Sequence, residues 1–221
     1  MKKTLFTVIA FILFTGCAFA QTDKGNSTLG INLQFYRATT NNNIFDQASG
    51  TMYTQDQKNT NFYIGPNFST FLSNNLDLGV GLQYGLTKIN NVGTAYYTQK
   101  QTNYNYGASI YLRKYVMYES KIGIRTGPYF TYNRNSSTVT NLSGGSGMET
   151  KTTGNSYTGG LNLDLLFYPT KKLGVALMLA NLNYQHYNAD SGVAGNSDGD
   201  GVNFNFINNG LGVSVFYTFG K

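Results

Sequence analysis

Cysteine, proline, histidine and tryptophan are nearly missing from this chain of 221 residues, which has one, three, one and none of them. The lone Cys17 lies in an N-terminal leader. Lys2 and Lys3 open it, Leu5 to Phe14 is apolar except for Thr7, and Ala18-Phe19-Ala20 offers a small-x-small cleavage site before Gln21. Residues 1–20 are therefore expected to be a cleaved secretory signal peptide, too short to span a membrane as a helix. The alternative is a lipoprotein signal with Cys17 as the lipidated residue, to which Phe14 is poorly suited. Cleavage after Ala20 leaves residues 21–221 as a single domain. That domain has no disulfide framework, no thiol nucleophile and no cysteine-held metal, because it has no cysteine. Charge is scarce as well, at 12% of residues, and no basic run exceeds a pair such as Lys171-Lys172. Losing Lys2 and Lys3 lowers the net charge of +6 by two. No nucleic-acid partner is expected. Beyond residue 20 no long apolar run remains, which excludes a transmembrane helix.

What the chain has in quantity is eighteen Tyr, fifteen Phe, 26 Gly and many Asn, a composition suited to strands. The segment DLGVGLQYGL, residues 77 to 86, places Leu78, Val80, Leu82, Tyr84 and Leu86 at every second position. Strict alternation marks a strand with one dry and one wet face. Eight such segments can be read, at about 27–38, 60–72, 77–87, 102–114, 121–133, 155–168, 173–187 and from 211 to the end. Short connections at 73–75, 115–120 and 169–172 alternate with long polar ones at about 39–59, 88–101, 134–154 and 188–203. Short turns on one side and long loops on the other are expected of an up-and-down membrane barrel.

Two further patterns agree. Leu29-Gly30-Ile31, Leu78-Gly79-Val80, Ile122-Gly123-Ile124 and Leu173-Gly174-Val175 recur near the start of alternate strands, with glycine on the face opposite the bulky residues. A bend would explain each one singly; room in a narrow lumen would explain all four. Aromatics cluster towards both strand ends: Phe35, Phe62, Tyr84, Tyr104, Tyr132 and Tyr157 on the long-loop side, Phe167, Tyr217 and Phe219 on the other. Strand propensity alone favours such residues, but two girdles also match two water–lipid interfaces. The interior of an eight-stranded barrel is only wide enough to be filled by side chains. Four or five bulky residues from each strand would overfill it, so the bulk is expected outside, against lipid.

The Ala-Phe-Ala-Gln junction, the run IGPNFSTFLSNNLDLGVGLQYG at 64 to 85 and the ending GLGVSVFYTFGK carry a family resemblance. Residues 25 to 221 resemble the small eight-stranded outer-membrane β-barrels of Gram-negative bacteria. The resemblance implies an all-β antiparallel up-and-down transmembrane barrel in the cell outer membrane. It also implies outer-membrane lipids as surroundings, a barrel-insertion machinery as biogenesis partner, and a monomer. Relatives commonly finish on a terminal Phe; here Phe219 is followed by Gly220-Lys221. An anchoring role like that of two-domain relatives with a peptidoglycan-binding domain is not expected.

By strand parity Asp77, Arg113, Arg125 and Asp164 point into the lumen from four consecutive strands, and two anions and two cations there would neutralise one another. The expected role is a structural plug; a gate or solute path is the sharper alternative. No enzyme activity, cofactor or metal is expected. His186, the only histidine, resembles the His-x-Ser pair of lipid A deacylases, also eight-stranded barrels, but Asn188 stands where the serine would be, and Ser191 is nearby in sequence. Asn196, Asp198, Asp200 and Gly201 imitate half a calcium loop whose twelfth position is Ile207 instead of Glu, so a solvated turn is expected. The function expected is a structural or surface-interaction role. The alternatives are small-solute passage, a lipid-modifying enzyme, or a soluble lipocalin-like binder with its bulk facing inward.

Overall fold

A polar and an apolar face on every strand can both be satisfied if the sheet closes on itself and separates two environments. In the computed structural model, which describes residues 22–46, 50–92, 98–143, 146–190, 195–206 and 213–220, the sheet does close. Its strands are β1 (Ser27–Asp46), β2 (Thr51–Ser73), β3 (Leu76–Val92), β4 (Thr98–Tyr118), β5 (Ile122–Ser143), β6 (Ser146–Phe167), β7 (Leu173–Asp190), β8 (Asn196–Phe206) and β9 (Val213–Phe219). β1 to β8 pair antiparallel in chain order. β9 lies between β7 and β1, pairing Leu173–Leu177 on one side and Ser27–Leu33 on the other. β8 and β9 therefore share one place beside β7, and the ring has eight places. The leader, residues 1–20, lies outside the described residues.

The ring is sheared. A ladder that leaves Leu29 passes Phe68, Val80, Ile110, Phe130, Gly159 and Tyr184 and arrives at Val202. Leu29's own partner on the closing strand is Tyr217. That offset along the strand is what tilts strands in a closed barrel.

The expected long loops are corrected by the structure. Strands continue through most of 39–59, 88–101 and 134–154, and the part of the expected last loop from 196 to 203 belongs to β8. Asp198 and Asp200 accordingly sit in a strand, opposite Asn188 and His186, not in a solvated turn. Once a wall is wet on both sides, apolar alternation disappears from the sequence while the backbone ladder carries on. Inward amides extend it: Asn91 Nδ2 donates to Gln99 Oε1 at 3.2 Å, and Gln99 Nε2 to Asn141 Oδ1 at 3.0 Å. The opposite rim has tight turns. Asn75, Glu119 and Ser120 adopt φ of 63°, 48° and 57°. The segment before β1 is tied across this rim by Phe71 N to Asn26 O at 2.8 Å and Asn75 N to Thr22 O at 2.8 Å.

Bulk faces out. Leu29, Val80 and Leu82 are 58%, 54% and 65% exposed on the barrel's outer surface, although each lies within a regular strand. Gly30, Gly79, Gly123 and Gly174 are all buried on the inner face. A Cβ on Gly79 would stand 2.4 Å from the Tyr111 ring, and one on Gly174 2.3 Å from the Phe216 ring. Gly79 and Gly174 thus clear the lumen for large aromatic neighbours, while a Cβ on Gly30 would meet Asn67 and one on Gly123 the Val116 carbonyl and Met117. Gly79→Ala is expected to cost about 1–3 kcal/mol by overpacking, read as a lower urea midpoint in micelles. Gly159→Ala, where a Cβ would meet nothing within 4 Å, should leave that midpoint where it is.

Candidate functional site

Neighbouring strands carry the four inward charges in register. Asp77 stands opposite Arg113, and Arg125 opposite Asp164. Arg113 grips Asp77 with two donors, Nε to Oδ1 at 3.0 Å and Nη2 to Oδ2 at 2.5 Å. Ser69 Oγ and Tyr115 OH also donate to Asp77 Oδ2, at 2.7 and 2.9 Å. Thr28 shares a hydrogen bond with Ser69. The Arg113 guanidinium lies over the Tyr111 ring, 4.0 Å from its centroid. Arg125 holds Asp164 through Nε alone, at 2.7 Å, while Asn162 Nδ2 approaches the same oxygen at 3.3 Å. All four charged residues are buried. With both carboxylate oxygens of Asp77 accepting hydrogen bonds, the first pair meets the condition for a buried ion pair to be tolerated: a satisfied hydrogen-bond shell.

Between these pairs and the short-turn rim lies an aromatic plug that sequence reasoning missed. Phe71, Tyr115, Leu166, Tyr168, Ala176 and Phe216 form one buried cluster. Phe71 packs on Tyr115 at 5.2 Å and Tyr168 meets Phe216 edge-on at 5.4 Å. The signal was available. Phe71, Leu166 and Phe216 each stand next to outward bulky residues and so have the opposite parity, which places them inside. On the other side of the ion pairs the lumen widens into a cavity of about 480 Å³, its wall including Asn67, Gln83, Ser109 and Tyr129 and its floor Arg113 and Arg125. Above the ion pairs no inward-facing side chain described carries a charge; the lining is amide, hydroxyl and aromatic with aliphatic groups such as Met178 among them. Gln83 Nε2 donates to Asn133 Oδ1 at 2.5 Å, and Tyr63 OH to Gln83 Oε1 at 2.8 Å.

His186 is outside the lumen, near the outer end of β7. Its ring stacks on Tyr157, and its Nδ1 lies 2.9 Å from Asp200 Oδ1, which also accepts from Tyr184 OH at 2.6 Å. The Tyr184 hydroxyl and then His186 hold the Asp200 carboxyl below the usual carboxylate range. The small stabilisation this brings is present at neutral pH and is lost as pH falls through the lowered value. Asn188 faces Asn155 and Asp198, while Ser191 and Ile207 lie outside the described residues. Among the described residues no three His, Cys, Asp or Glu side chains converge as a metal site would require.

An apolar outer belt, aromatic residues near both its edges and a polar lumen define a barrel of the transmembrane type. The belt is edged by Phe35, Phe62, Tyr104, Tyr132 and Tyr157 on one side and by Phe167, Tyr217 and Phe219 on the other, all exposed outward. No family model matches the chain, and no curated protein matches it in sequence. Among solved structures it is similar to Ail, the attachment invasion locus protein of Yersinia pestis. There it is 13% identical, covers 89% of this chain and 99% of the other, and has a TM-score of 0.38. It is similar also to the outer membrane protein OprG of Pseudomonas aeruginosa, at 12% identity, 92% and 100% coverage and a TM-score of 0.38. Neisserial surface protein A is a third, at 14% identity, 89% and 98% coverage and a TM-score of 0.30. The barrel itself stands on its own strand ladders.

Proposed function

We propose that the chain is an integral outer-membrane β-barrel whose work is structural and surface-interactive, not catalytic and not conductive. The observation that carries this is strand length. About 9–11 residues of tilted strand cross a bilayer, yet β2 has 23 and β5 and β6 have 22 each. Roughly half of each hairpin therefore stands beyond the belt as a stiff polar wall, the part of the molecule that meets the surroundings. The buried ion pairs and the aromatic plug act as a stopper below it, against passage of solutes. His186, engaged by Asp200 and followed two residues on by Asn188, has the histidine of a hydrolytic pair without its hydroxyl. Insertion by barrel-assembly machinery and a monomeric state complete the proposal.

The test has three readouts. Leu82→Cys or Leu163→Cys gives a single labelling site in residues 21–221, and an environment-sensitive fluorophore there should report hydrocarbon. The outer-membrane fraction should show a gel mobility that changes on boiling. Planar bilayers should show no steady single-channel conductance. A probe at residue 82 reporting water, with the protein in the soluble periplasm, would return the lipocalin-like reading. Steady conductance would return the solute channel.

A further inference from the structure

Just beyond the aromatic edge of the belt, four consecutive strands present a cation outward. Arg37 on β1, Lys58 on β2, Lys88 on β3 and Lys100 on β4 share the outward parity of Phe35, Phe62, Tyr84 and Tyr104, and all four cations are exposed. The register sets them side by side. Arg37 pairs with Thr60, two residues from Lys58. Lys58 pairs with Asn90, two from Lys88, and Lys88 pairs with Thr102, two from Lys100. Each cation is thus the diagonal neighbour of the next, at about 7–8 Å between backbones. The ion pairs among the described residues lie elsewhere. Asp56, two residues from Lys58 on the same face, forms none with it. Four like charges in a row repel one another unless an anion sits among them.

Depth and direction say which anion. The cations stand two to four residues beyond the aromatic edge, about 5–10 Å further out along a tilted strand, the depth of lipid headgroups. Their side chains leave the barrel sideways, towards neighbouring lipids, instead of upwards into the medium. The opposite sector has the other sign: Asp190, Asp198 and Asp200 face outward from β7 and β8. We infer that the stripe Arg37–Lys58–Lys88–Lys100, which Arg134 on β5 and Lys151 on β6 continue as exposed outward cations, is a docking surface for the phosphate groups of anionic lipid in the surrounding leaflet, centred on β1 to β4. This rests on the membrane reading above.

The experiment titrates the purified barrel, in an uncharged detergent, with diphosphoryl lipid A and with the same lipid stripped of its phosphates, counting bound lipids by native mass spectrometry. The phosphorylated lipid should be retained on the order of tenfold or more better, and the preference should shrink as salt is raised. The triple variant Lys58→Gln, Lys88→Gln, Lys100→Gln should lose the preference. A control triple at the other rim, Lys114→Gln, Lys171→Gln, Lys172→Gln, should keep it. Heat-modifiable mobility of each variant reports folding separately. Equal retention of both lipids by a heat-modifiable wild-type barrel, or a preference untouched by the first triple, overturns the stripe and leaves the membrane reading standing. Soluble tripolyphosphate displacing lipid from the wild type and binding as tightly without it would also overturn the lipid assignment, in favour of a polyanion of the medium. Absence of heat-modifiable mobility in the wild type would instead remove the membrane reading itself.

Discussion

Alanine in place of Asp77 lowers the stability of the barrel by about 3–5 kcal/mol, the cost of leaving a buried charge without its partner. The partner is Arg113, whose side chain is 8% exposed while that of Asp77 is 0%. A guanidinium does not neutralise itself by losing a proton, so Arg113 must find water, move, or stay unpaired. Ser69 and Tyr115 lose their acceptor in the same step. Asp164→Ala should cost less, because Arg125 reaches Asp164 through one nitrogen and has less geometry to lose. Adding Arg113→Met to Asp77→Ala should recover much of the loss, since removing both charges also removes their desolvation. Reversible urea titration in micelles reads all three. An unchanged midpoint for Asp77→Ala, or a double variant as unstable as the single one, would show that these charges do not hold the lumen together.

Some of this architecture is legible in the sequence for a simple reason: strand parity is a two-state code. Leu78, Val80 and Leu82 read as one face, and a count of bulky residues against the room inside an eight-stranded ring assigns that face to the exterior. The same parity places Asp77, Arg113, Arg125 and Asp164 together on the inner face. Which carboxylate meets which guanidinium depends on the register of β3 against β4 and of β5 against β6, which parity alone does not give. The plug escaped notice because Phe71, Tyr115 and Phe216 look like ordinary strand aromatics unless their parity is set against that of their neighbours. The projecting walls escaped because alternation fades where both faces are wet. The cation stripe is the clearest case. Residues 37, 58, 88 and 100 are scattered in sequence and give no basic run, and only strand pairing makes them neighbours.

Leu82→Arg has a sign that depends on what surrounds the barrel. Leu82 is 65% exposed. In water, trading an exposed leucine for arginine usually shifts stability by no more than about 0.5 kcal/mol. Near the middle of a bilayer the same change costs about 2–4 kcal/mol, falling to about 0–1 near the interface. Equilibrium unfolding from lipid vesicles should therefore show a large loss for Leu82→Arg and a smaller one for Leu86→Arg, nearer the rim. The chain supplies its own end point to this series. Lys88, on the same face of the same strand and two residues beyond Leu86, is a native exposed cation, so within six residues the outer surface passes from excluding charge to presenting it. A flat response along positions 82 and 86 would mean that no hydrocarbon boundary lies between Leu82 and Lys88. The apolar belt would then need some cover other than lipid.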